Sequence, residues 1–110
     1  VPAPSDFPNS ADHVAAFQTQ FDQAPGTWSP YTYDSVKFLL DGVGKAGGWD
    51  AKGLTDYLSG VSGWEGWTGS VTIEPKTGNR NPATVVVTDV TSAGEFHVAS
   101  AWAKATDSPY

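Results

Sequence analysis

Around Gly63 the 110-residue chain changes texture, and no other feature restricts its fold as much. Before that point apolar residues recur every three or four positions, the spacing that gives a helix one apolar face. After it come "GSVTIEP", "ATVVVTDV" and "EFHVASAW", runs rich in β-branched residues and separated by turn signals. Three helices followed by two or three strands are therefore predicted. That order fits an α+β domain, or the tail of an α/β fold whose other strands lie elsewhere.

The boundaries follow from local chemistry. Pro2, Pro4 and Pro8 predict an extended lead over residues 1–9, and Asn9 or Ser10 is placed to cap a first helix over about residues 11–23. Val14, Phe17 and Phe21 give that helix its stripe, and Pro25-Gly26 ends it. In the second helix Ser29 suits the cap and Pro30 the first turn, where a missing N–H costs nothing. Tyr33, Val36, Leu40 and Val43, with Leu39 beside them, define its packed face until Gly47-Gly48. Asp50 caps a third helix carrying Leu54, Leu58 and Val61, so residues 10–63 read as helical and 69–103 as strands. The triplet Val85-Val86-Val87 predicts a strand covered on both faces, and "KTGNRNP" a polar turn.

Composition excludes several functions. A net charge of −6, with six Lys and Arg in all, argues against a nucleic-acid or anionic-membrane partner. Without cysteine there is no disulfide framework, thiolate metal site or cysteine nucleophile. No apolar run approaches the roughly 18 residues of a membrane span. "VPAPSDFPNS" has neither the basic nor the apolar part of a secretion signal, so a single mature or truncated segment is expected.

Catalytic and cofactor motifs are missing too. His13 and His97 lack metal-ligand spacing and read as a solvated and a strand-packing histidine. No phosphate loop, dinucleotide fingerprint or nucleophile elbow occurs, and the carboxylates read as caps and solvated surface. No catalytic residue, metal or cofactor is assigned.

The aromatic side chains stand out, with five Trp, four Tyr and five Phe. "GWEGWTG", residues 63–69, reads either as a sugar-stacking platform or as a loop folded down by Trp64 and Trp67. "WSPYTYD", residues 28–34, sets Trp28, Tyr31 and Tyr33 where the second helix begins. Tyr33 falls on the apolar face, whereas Tyr31, about 200° away around the helix, points elsewhere. Packing alone does not use both rings.

The order and spacing of these pieces resemble a known family. "SPYTYDSVKFLLDGVGKAGGWDAKGLTDYLSGVSGWEGWTGSVTIEPKTGNRNPATVVVTDV" is similar to the C-terminal portion of type I periplasmic solute-binding proteins, the branched-chain amino-acid receptors of ABC transporters. The shared pattern is a Tyr-x-Tyr-Asp-x-Val helix start, Lys-Ala-Gly, an aromatic-Glu-Gly-x-Thr-Gly turn, a polar turn with glycine and a valine strand, spanning about residues 10–98.

The resemblance implies a two-lobe α/β fold about three times this length, with the chain as its last third. It implies an extracytoplasmic receptor that captures an amino acid or similar small polar solute and presents it to an ABC transporter permease. Tyr33 matches an aromatic residue that touches the ligand, with Tyr31 and Trp28 as neighbouring candidates. Asp34 is expected to stabilise the helix start through the helix dipole. Apolar faces left uncovered predict association with the rest of the receptor or with a second copy, through a homodimer or element exchange. The rival functions are a carbohydrate-binding module using Trp64, Trp67 and Trp28, and a small hydrolase using two carboxylates.

Overall fold

Four helices and two small antiparallel sheets make up the chain, a mixed helix-and-strand (α+β) architecture seen in a computed structural model that describes all residues 1–110. The elements are α1 (Ala11–Phe21), α2 (Ser29–Ala46), α3 (Ala51–Ser59), β1 (Trp64–Gly66), β2 (Gly69–Val71), β3 (Thr88–Val90), β4 (Phe96–Val98) and α4 (Ser100–Thr106). They fall into two compact units, one of residues 1–30 with 84–110 and one of residues 31–83.

In the first unit the lead is not extended. Residues 4–6 and 8–9 turn, with the Asp6 N–H donating to the Ala3 carbonyl, and this carries Phe7 into the core. The Tyr110 ring meets Phe7 edge-on at 5.7 Å, and Ala99 and Ala103 are buried as well. Ser10 does not cap α1: it is already helical, and its hydroxyl donates to the Ser5 carbonyl, 2.9 Å away. The helix stops at Phe21, short of residue 23, because Asp22 turns left-handed at φ 52°.

β3 and β4 form a hairpin in the register Thr88↔Val98, Asp89↔His97 and Val90↔Phe96, closed at Gly94 (φ 81°). Two strand expectations fail in this unit. Val85 and Val87 are exposed and precede β3 instead of forming a covered strand. Their only ladder-like bond given by the backbone runs from the Ala99 N–H to the Val87 carbonyl. Ser100–Thr106, inside the expected strand region, is helical. Ala99, Trp102 and Ala103 recur at helix spacing in an alanine-rich run that favours helix.

The second unit holds α2 from Tyr31 onward, α3 and the β1–β2 hairpin, paired Trp64↔Val71, Glu65↔Ser70 and Gly66↔Gly69. α2 ends on glycine as expected, with Gly47 left-handed (φ 83°) and the Gly48 N–H reaching back to the Val43 carbonyl. Asp50 caps α3, accepting from the Gly53 N–H at 2.7 Å. Leu54 and Leu58 of α3 pack on Gly42, where an added Cβ would lie 2.6 Å from Leu58 Cδ2.

The packed face of α2 differs from the expectation, although Val43 is half-buried and Tyr33 meets Trp67. Asp34 and Gly42 are buried and Phe38 half-buried, a row at i, i+4, i+8. Val36 and Leu40 are each 54% exposed, and Leu39 is exposed beside them. The contacts of Asp34 and Phe38 with the hairpin, and the close approach at Gly42, fix which face turns inward.

Candidate functional site

Asp34 is the organising residue of the second unit. One carboxylate oxygen accepts the Trp67 N–H at 2.7 Å; the other accepts the Thr68 N–H at 2.7 Å and the Thr68 hydroxyl at 2.6 Å. Arg80 completes the knot, donating to Thr68 Oγ1 and the Thr68 carbonyl at 2.9 Å each and to the Ser70 carbonyl at 2.7 Å. Asp34 and Thr68 are buried, and Thr68 passes charge-assisted hydrogen bonding between the carboxylate and the guanidinium. The expected role at the helix start is replaced: Asp34 lies beyond the first turn of α2 and fastens the hairpin turn to the helix. Gly66 is required beside it, because an added Cβ would lie 2.6 Å from the Asp34 carboxylate.

This knot fixes the rings. Trp67 is 3% exposed, and the Tyr33 ring meets it edge-on at 6.0 Å while remaining 43% exposed. Tyr31, half-buried, stands in the same unit, and its carbonyl accepts the Ser35 hydroxyl at 2.7 Å. Trp28 belongs to the other unit and is 65% exposed. The structure thus joins Tyr33 to Trp67, a neighbour that sequence spacing did not reveal. The signal available was the Tyr-Asp step and the Trp-Thr-Gly turn occurring in one chain.

Trp64 is equally committed. Its indole N–H donates to Asp41 at 3.0 Å, its ring meets Phe38 edge-on at 5.2 Å, and the Lys37 ammonium lies 5.3 Å from the ring centre. Lys37 also donates to Asp41 at 2.9 Å. That hydrogen bond holds Lys37 above the ordinary lysine value. The Lys37 bond first, then the Trp64 bond, holds Asp41 below the ordinary carboxylate value. In the "GWEGWTG" loop Trp67 is buried, and Trp64 has the Lys37 ammonium over its ring and an edge-on contact with Phe38.

The first unit contains a cleft of about 810 Å³ between the lead, α1, the 24–27 loop and the β3–β4 hairpin. On its wall His97 Nδ1 lies 3.0 Å from Asp6, whose other oxygen accepts the Val98 N–H at 2.7 Å. His97 Nε2 is 3.8 Å from Glu95. The Asp6 hydrogen bond and charge raise the His97 pKa above its ordinary value. No group of three or more His, Asp or Glu side chains is placed to share a metal ion.

Compared with protein-family models, curated proteins and solved structures, the chain matches none.

Proposed function

We propose that the chain is the ligand-contacting C-terminal part of an extracytoplasmic solute-binding receptor, serving an ABC transporter and capturing an amino acid or similar small polar solute. The observation that carries this reading is Tyr33, half exposed at the start of a helix that Asp34 pins to a hairpin turn. A ring on two hydrogen-bonded elements loses little freedom on binding, which suits it to a ligand wall. The outward apolar row of α2 supports the same reading, since it is the face a larger lobe would cover. In this reading ligand binding favours a closed state, because only that state contacts the solute from both lobes.

The test is titration calorimetry of the full product of the gene against the amino acids and a panel of monosaccharides. Binding of one amino acid or a few related ones is expected, with Tyr33→Ala weakening it about tenfold or more, the effect of losing an aromatic anchor. A response to saccharides alone, or an unchanged amino-acid affinity in a folded Tyr33→Ala protein, overturns the proposal.

A further inference from the structure

The cleft of the first unit is a second binding site, separate from the Tyr33 wall, and we infer that it takes a small organic cation, an ammonium group on a compact apolar body. Its volume of about 810 Å³ lies in the range of small-molecule sites. Pro4, Val14, Ala24 and Pro25 supply apolar walls, and Phe96, 59% exposed on β4, supplies a ring that a cation can approach.

The charge distribution selects the sign of the ligand. Residues 1–30 and 84–110 carry six carboxylates (Asp6, Asp12, Asp22, Asp89, Glu95 and Asp107) against the single cation Lys104. Five of the chain's six net negative charges thus reside in this unit. Of these acids Glu95 lines the cleft, as does Phe96. Two basic groups line the cleft as well, the Val1 α-amino group and His97, and His97 is offset by two carboxylates, Asp6 at Nδ1 (3.0 Å) and Glu95 at Nε2 (3.8 Å). An anion would meet the Glu95 carboxylate and a negative unit, whereas an ammonium group meets a carboxylate, a ring face and the neutral acceptors of Ser5, Gln18 and Thr27.

The experiment is chemical-shift mapping on the ¹⁵N-labelled chain with three probes: choline, its uncharged isostere 3,3-dimethylbutan-1-ol, and acetate. Choline is expected to shift the amides of Gln18, Gly26 and Glu95 to His97 saturably, with the isostere about fivefold weaker or more and acetate silent. Glu95→Gln, a change at an exposed side chain, is expected to bring choline down towards the isostere, and Phe96→Leu to weaken choline while sparing the isostere. Equal binding of choline and isostere, shifts centred elsewhere, or no saturable shift with choline overturns the inference. Tyr33→Ala is expected to leave choline binding unchanged, so this site and the receptor reading fail separately.

Discussion

With three hydrogen bonds, as many as Arg80 makes, Asp34 is a centre of the second unit's polar contacts. It satisfies two backbone N–H groups and a hydroxyl in a buried setting, and Arg80 answers it through Thr68. Asp34→Ala strands those donors, and each buried unsatisfied group costs about 1–3 kcal/mol. A loss of about 3–5 kcal/mol is expected, the range for removing one member of a buried charged network. Urea unfolding followed by tryptophan fluorescence checks this, and a loss under about 1 kcal/mol would show that the knot holds little. In the first unit Asp6 joins the lead to β4 through His97 and the Val98 N–H. The groups around that imidazole are Asp6, Glu95 and, across the hairpin, Asp89. Because the folded His97 pKa is raised, its contribution is complete below the ordinary histidine value of about 6.5 and fades as pH rises through the folded value. The difference in Tm between the parent and His97→Gln should therefore shrink as pH rises above about 6.5. A difference that grows with pH would reverse the sign of this linkage.

At the scale of elements, what the sequence made legible was local. Asp50 at the start of α3 and Gly47-Gly48 at the end of α2 act through backbone bonds a few residues long, and those signals survive any tertiary context. The three early helices and the turn at Gly94 belong to the same class. The facing of α2 was not legible, because it is decided by a carboxylate that meets backbone groups 33 and 34 residues away. Periodicity shows that Val36, Leu40 and Val43 share a face; it does not say what stands against it. α4 was missed because "HVASAW" begins as a strand and crosses into helix at Ser100, and a window spanning both averages the two periods. For the candidate site, Tyr33 was legible as an exposed ring at a helix start, whereas its pairing with Trp67 depends on the same long-range knot. The cleft beside His97 needs four separated segments, and spacing along the chain carries no record of it.

At the scale of the whole molecule, the apolar side chains that are fully buried are few. In the first unit these are Phe7, Ala99 and Ala103 with Pro2 and Pro30, and in the second Trp67, while Val36, Leu39, Leu40, Val85, Val87 and Val90 face solvent. Both sheets have two strands of three residues, so each leaves ladder groups open at its edges. A chain of this size gains its stability mainly from buried apolar surface, and surface left outside raises the affinity for anything that covers it. Association of the isolated chain is therefore expected, and light scattering should give a mass that climbs above 11.6 kDa with concentration. The outward row of α2 is the place to intervene. A charge at Leu40, already 54% exposed, removes little internal packing and should cost under about 1 kcal/mol of stability. Leu40→Glu is thus expected to lower the associated mass while leaving the urea midpoint nearly unchanged. If the parent remains a monomer over a wide concentration range and binds no hydrophobic dye, the exposed row is an ordinary surface, and the support it lends to a larger receptor lobe falls with it.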